Sequence, residues 1–368
     1  MGVGVFVGFR LNRSATTIQQ IFPDGGGTPT QAGGTNGGTN GGAVSFPLAG
    51  KILPPPPGEL YWGAFRDGAP YNTGLVTGLE DEVGRRPAIM MWYQEWEGLP
   101  DFPVADASYL YDRGIVPMVS WEPWRPPKVF GTLDVDQPRY RLSRIAGGAF
   151  DDYIRRYAGD IRDFGGPVFL RPFHEMDGFW YPWGGTVNHN TPADYVAAWR
   201  HVHDLFQEVG ATNVTWIWSV NHVTVPDTPE NQIRHYWPGP AYVDWIGVSG
   251  FNWGTASPLS TWKGFDAVNQ ERYRQLLVYH LPIMLTETGA PEVGGVKAEW
   301  ITDSFHAMLD HYPQLRAVIW YDKRDSDLRD WRLDSTPAAL AAFRAAVSNP
   351  RILAANAAQA TAIRDEHG

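Results

Sequence analysis

Eight short, nearly continuous apolar runs recur along this chain, and they constrain its fold more than any other feature. They read LYWGAF (60–65), AIMMWY (88–93), IVPMVSW (115–121), VFLRPF (168–173), VTWIWSV (214–220), WIGVSGF (245–251), PIMLTE (282–287) and AVIWY (317–321). Runs without polar alternation suit strands of a parallel sheet buried on both faces. Between them, segments 152–164, 193–209 and 298–312 carry apolar residues at three- and four-residue spacing, as amphipathic helices do. Thr191-Pro192 ahead of the second supplies an N-cap and a first-turn proline. Eight strands alternating with helices predict an α/β chain folded as a (β/α)8 TIM barrel. A doubly wound open sheet would need a phosphate-binding glycine turn after the first strand, and Trp62-Gly63-Ala64-Phe65-Arg66-Asp67-Gly68 is not one.

The barrel is expected over residues 58–350, between an N-terminal tail and linker (1–57) and a C-terminal stub (351–368). Residues 24–43 hold nine glycines in twenty positions and no large apolar side chain. Such a segment cannot bury enough surface to offset its ordering entropy, so a disordered Gly/Thr/Asn-rich tail is expected. Pro54 to Pro57 then read as a stiff spacer. The apolar Gly2–Phe9 stretch is far shorter than the roughly 20 residues of a membrane span, and it lacks the basic lead-in of a signal peptide. It reads either as the trimmed end of a signal or anchor or as a plain N-terminus; with the first reading, the protein is expected to be secreted or associated with the cell envelope.

Charge narrows the partners. The 368 residues carry a net charge of −10, and the part beyond residue 57 carries −12. That disfavours nucleic acid or an anionic membrane surface. Cysteine is absent, which excludes disulfides, thiolate metal sites and cysteine nucleophiles. Aromatic residues make up 14%, with 17 Trp against 7 Met, and flat apolar rings suit sugar faces.

Reacting groups of a (β/α)8 barrel lie at the C-terminal ends of its strands. Strand four runs into RPFHEMDGFWYPWGG (171–185) and strand seven into TETGA (286–290), so Glu175 and Glu287 stand where buried strands open into loops. A glutamate there is costly unless it has partners or a task. Each is either a strand-end ion-pair partner or one half of the two-carboxylate apparatus of glycoside hydrolysis. Arg171 and His174 are placed to bias the ionisation of such a pair. Phe179, Trp180, Tyr181 and Trp183 could build a platform for sugar rings.

These segments resemble glycoside hydrolase family 26, a family of β-mannanases with some mixed-linkage β-glucanases and xylanases. RPFHEMDGFWYPWGG is similar to its acid/base signature, and NVTWIWSVN (213–221), YVDWIGVSGFNWG (242–254), LPIMLTETGA (281–290) and AVIWYDKRDSDLRDWRL (317–333) agree in order. The resemblance spans about residues 59–348. It implies a retaining mechanism with Glu175 as acid/base and Glu287 as nucleophile, and a sugar-stacking Trp at the end of strand eight, where Trp320 stands. Three positions depart from the family pattern. Asp177 replaces the usual Asn, Phe251 replaces a Tyr whose hydroxyl bonds the nucleophile, and Tyr181-Pro182-Trp183 replaces a more tryptophan-rich run.

Trp92, Trp96, Trp121, Trp253 and Trp320 are either subsite platforms or barrel packing, and Asn221 and Asn252 either bond sugar hydroxyls or satisfy loop backbone. No metal site is expected: His201 and His203 lie two apart on a helix and face different ways. The acidic run 325–330 lacks the glycine and distal glutamate of a calcium loop. No cofactor is expected either. The expected function is endo-acting hydrolysis of a plant or microbial β-linked polysaccharide by a monomer. β-1,4-Mannan is the first backbone, with mixed-linkage β-1,3-1,4-glucan or an exopolysaccharide as alternatives. A non-catalytic carbohydrate-binding barrel is the alternative of another class.

Overall fold

A computed structural model of the protein describes residues 49–127 and 133–362. The tail expected at the N-terminus lies, up to residue 48, outside the described residues. Strands β1 (Leu60–Arg66), β2 (Ile89–Glu95), β3 (Val116–Glu122), β4 (Val168–Pro172), β5 (Val214–Asn221), β6 (Trp245–Phe251), β7 (Ile283–Gly289) and β8 (Leu315–Asp322) follow one another around a parallel sheet. β8 pairs with β1 through Tyr61↔Ala317 to Arg66↔Asp322, which closes the (β/α)8 barrel. All eight apolar runs of the sequence fall on these strands.

The crossovers carry helices α1 (Thr73–Val83), α2 (Val104–Asp112), α3 (Leu142–Ala146), α4 (Asp151–Phe164), α5 (Pro192–Val209), α6 (Phe265–Leu276), α7 (Lys297–His311) and α8 (Pro337–Val347). α5 starts as its sequence predicts. Thr191 accepts from the Asp194 backbone N–H while the Asp194 carboxylate accepts from that of Thr191, a reciprocal cap that satisfies two orphan donors. α4 opens on Asp151 and Asp152, which favour the positive end of its dipole, and ends at Gly165 with φ 76°, a left-handed cap.

Two apolar layers follow from the strand pleat. Tyr61, Ile89, Met91, Met118, Phe169, Ile217, Met284 and Ile319 fill the barrel interior. Trp62, Trp92, Trp121, Trp216, Trp218 and Trp320 point the other way and pack against the helices. Where β1 meets β2, a Cβ on Gly63 would lie 2.6 Å from the Ile89 carbonyl oxygen, so glycine is what lets these strands approach.

The barrel floor is built from segments that the sequence reading left outside the barrel. Leu353 and Ile352 form β9, which pairs with Tyr61 and Leu60, and α9 (Ala357–Ala362) follows. The backbone N–H of Ile52 donates to Thr215 Oγ1 at 2.8 Å, and Trp245 Nε1 donates to the Ile52 carbonyl at 3.0 Å. Ile52, Ala358 and Ala362 are buried with the interior layer. Among the described residues no helix is long and apolar enough to cross a membrane.

Candidate active site

At the opposite end, the strand termini and following loops enclose a cleft with two arms. The larger, about 790 Å³, runs between the loops after β1, β2 and β3 and is walled by Phe65, Tyr71, Tyr93, Glu95, Glu122 and Trp124. The smaller, about 290 Å³, runs past Glu175, Phe179, Asn221, Phe251, Trp253 and Trp331. Glu287, Trp180, Tyr181 and Tyr321 line both arms, so Glu287 stands where they meet.

Glu287 comes from β7, opposite Ser249 in the β6 register, and its side chain is buried. Arg171 from β4, wholly buried, donates from Nη2 to Glu287 Oε1 at 2.6 Å and from Nε to Ser120 Oγ at 2.9 Å. This contact sets a buried positive charge directly against Glu287. Glu175 sits on the turn after β4, where Phe173 and Glu175 adopt φ 51° and 53°, left-handed conformations that cost about 1–3 kcal/mol each in a non-glycine residue. The turn is held by the Glu175 backbone N–H donating to the Ser219 carbonyl at 2.8 Å, and Trp180 Nε1 donates to Glu175 Oε2 at 2.6 Å. Burial, then the charge of Glu287, pushes the Glu175 carboxyl up to about 8. The two carboxyls thus stand in unlike surroundings on the wall of one cavity: Glu287 is paired with Arg171, and Glu175 is held protonated at neutral pH.

The remaining expected site residues divide into two groups. Trp180, Asn221, Phe251 and Trp253 line the cleft. Asn221 is engaged within its own loop, donating from Nδ2 to the Val223 carbonyl at 2.8 Å. Phe251 packs against Trp331 and Tyr321, with centroids 4.9 and 5.4 Å away. Arg171 and His174 stand behind the wall. His174 is wholly buried between Tyr93, Tyr181 and Trp183, and burial and the Arg171 charge hold its imidazole neutral.

Two tryptophans correct the sequence reading. Trp183 is fully buried, stacks on Tyr181 with centroids 4.4 Å apart, and donates to the His174 carbonyl at 2.6 Å, so it braces the turn instead of facing a ligand. Trp320 is 1% exposed, lies between Trp300 and Phe343 in the outer layer, and donates to the Trp331 carbonyl at 2.8 Å. The ring that β8 sends into the cleft is its neighbour Tyr321. Trp96 and Trp121 are likewise core residues, with centroids 4.5 Å apart and no measurable exposure. Trp92 is nearly buried and touches the base of the larger arm. Asn252 caps its loop through the Gly254 and Lys263 backbone N–H groups.

The departure at Asp177 has a partner. Its Oδ2 accepts from Arg272 Nη2 at 3.0 Å and its Oδ1 from the Asn221 backbone N–H at 2.9 Å, both side chains being buried. Sequence reasoning missed Arg272, Glu95 and Glu122. The last two end β2 and β3, so the strand-end rule that singled out Glu175 and Glu287 applies to them as well. Among the described residues no cluster of three or more His, Cys, Asp or Glu is arranged to hold a metal.

Residues 143–275, which carry Arg171, Glu175, Asp177 and Arg272, match the model of the family described as Glycosyl hydrolase family 26. The chain belongs to glycosyl hydrolase family 26. Endoglucanase H of Acetivibrio thermocellus is 36% identical to this family-26 chain over 305 residues, covering 76% of the chain and 31% of that protein. The β-1,3-xylanase TXYA of a Vibrio species is 29% identical over 206 residues, 52% of the chain and 42% of the relative. Mannan endo-1,4-β-mannosidase A and B of Caldalkalibacillus mannanilyticus is 25% identical over 170 residues, 45% of the chain and 30% of the relative. The chain thus spans less than half the length of each of these relatives. A family-26 β-mannanase structure from Bacteroides ovatus superposes with a TM-score of 0.60 at 19% identity, over 84% of this chain and 94% of that one, which shows the shared fold.

Proposed function

We propose that this family-26 barrel is an endo-acting, retaining hydrolase of a β-linked polysaccharide, with Glu287 as nucleophile and Glu175 as acid/base. The observation that carries this reading is the unequal pair: Glu287 bonded to Arg171, and Glu175 pushed up to about 8, both on the wall of the smaller arm. A carboxyl paired with arginine and a carboxyl kept protonated by burial are suited to the opposite roles of nucleophile and acid. Glu287 attacks the anomeric carbon while Glu175 gives its proton to the departing glycosidic oxygen, leaving a glycosyl ester on Glu287. Once the ester forms, the charge on Glu287 is gone and Glu175 becomes a stronger acid. Its carboxylate then takes a proton from water, whose oxygen attacks the anomeric carbon and releases Glu287.

The arms on either side of Glu287 fit a chain that lies across the mouth, which supports internal cleavage. For the backbone, the 36% identity to an endoglucanase over 305 residues favours a β-glucan, mixed-linkage included. β-1,4-Mannan is the second reading, favoured by the mannosidase at 25% over 170 residues.

Product analysis on mixed-linkage β-glucan, glucomannan and galactomannan tests both levels. Release of oligosaccharides with a retained β-anomer, fastest from mixed-linkage glucan, is expected. Binding without release from any polymer would replace the enzyme with a carbohydrate-binding barrel. Preference for galactomannan would select the second backbone.

A further inference from the structure

The larger arm contains a second carboxyl pair that the hydrolytic scheme does not use. Glu95 and Glu122 are register partners at the ends of β2 and β3, and both line the cavity that reaches Glu287. Glu122 is 3% exposed. Trp124 Nε1 donates to its Oε2 at 2.9 Å, while its Oε1 stands 3.7 Å from His174 Nε2, beyond hydrogen-bonding reach. One oxygen is thus engaged by the wall and the other is left for whatever enters the arm.

We infer that Glu122 is a substrate-binding residue whose carboxyl donates a hydrogen bond to, and accepts one from, hydroxyls of a neutral sugar ring seated in the larger arm beside Glu287. The inference rests on the polysaccharide reading above and adds to it the contact that selects the ring in this arm.

The surroundings of Glu122 favour the neutral acid over a carboxylate. Burial first, then the charge of Glu95 across the register, holds its proton well above the ordinary carboxylate range, and Glu287 acts in the same direction. Arg171 and the Trp124 indole oppose this and are outweighed. His174 contributes no charge, since its imidazole is neutral. A carboxylic acid in a desolvated wall carries one O–H donor and free acceptor capacity, the complement of a sugar hydroxyl. The rest of the wall, Tyr71, Tyr93, Trp124 and Tyr321, offers aromatic rings suited to an uncharged sugar. An anionic uronic-acid ring would meet Glu95 and Asp67 on the same wall.

Glutamine reproduces a protonated glutamate in shape and in having both a donor and an acceptor, whereas alanine has neither. Binding is measured in a Glu175→Gln background by affinity electrophoresis in mixed-linkage β-glucan, and KM and kcat in the otherwise native enzyme. Glu122→Gln is expected to stay within about threefold of its parent. Glu122→Ala is expected to weaken binding and raise KM by about tenfold or more, the size of one or two lost hydrogen bonds. If alanine does not fold, Glu122→Met keeps the volume without the hydrogen bonds and is expected to show the same loss. Glutamine failing as badly as alanine would show that a charged carboxylate is required and overturn the inference. Unchanged binding in the alanine or methionine variant would also overturn it. A parent that neither binds nor cleaves any of the polysaccharides would instead refute the functional reading itself, and the inference with it.

Discussion

Arg272 Nη2 meets Asp177 Oδ2 at 3.0 Å where both side chains are almost completely shielded from water, two residues beyond Glu175. The pair ties α6 to the turn that carries the proposed acid/base. A buried ion pair gains little over an apolar or neutral replacement, but removing one partner strands the other at a cost of about 3–5 kcal/mol. Arg272→Met is therefore expected to lower the thermal midpoint sharply. Asp177→Asn combined with Arg272→Met is expected to recover most of the loss. Thermal unfolding of the two variants checks this, and equal losses in both would contradict it.

The two glutamates should fail in different ways. Glu287→Ala removes the nucleophile and is expected to abolish turnover on every substrate, with azide restoring an inverted product. Glu175→Ala removes the proton donor, which matters most for a poor leaving group such as a sugar alkoxide. On an activated aryl glycoside its first step is expected to survive. The glycosyl-enzyme would then accumulate until azide releases it with retained configuration. Reversal of the two azide products would show the assignments to be exchanged.

The elevated Glu175 carboxyl sets the alkaline limit of activity. As the acid it must start protonated, so activity is expected below about pH 8 and is lost as pH rises through that value. Because the charge of Glu287 contributes to the elevation, Glu287→Gln is expected to bring the Glu175 titration down toward the ordinary carboxylate range. NMR titration of labelled Glu175 reads this directly.

Trp180 should move the same limit in the opposite direction. Its indole N–H bonds Glu175 at 2.6 Å and favours the ionised form, holding the carboxyl lower than burial alone would. Trp180→Phe keeps a ring in the cleft but removes that donor. The alkaline limb of kcat/KM is expected to shift to higher pH, and a shift downward would contradict the assigned donor.

How far the sequence could be read varies along the chain. The strands were legible because each is a short apolar run between turn signals, and Glu175 and Glu287 because a carboxyl at a buried strand end is conspicuous. The phase of each strand was not legible. A strand buried on both faces has no polar alternation, so nothing in AVIWY reveals that Trp320 faces the helices and Tyr321 the cleft. Arg272 was hidden for a different reason. It lies 95 residues from Asp177 and resembles any other helix-face arginine until the fold brings them together. The floor formed by Ile52 and residues 352–362 was missed because its apolar segments are too short to stand out from loop sequence.

The outer belt of tryptophans has an optical consequence. Twelve of the 17 indoles are buried, Trp92 and Trp331 among them beneath the cleft wall, while Trp124, Trp180, Trp237, Trp253 and Trp262 retain partial access to water. Three of those five, Trp124, Trp180 and Trp253, line the cleft. Collisional quenchers such as acrylamide will therefore reach a small fraction of the intrinsic emission, and most of that fraction arises where a ligand would sit. A chain of sugars lying across the mouth would shield it, giving a label-free signal of occupancy against a silent background from the core.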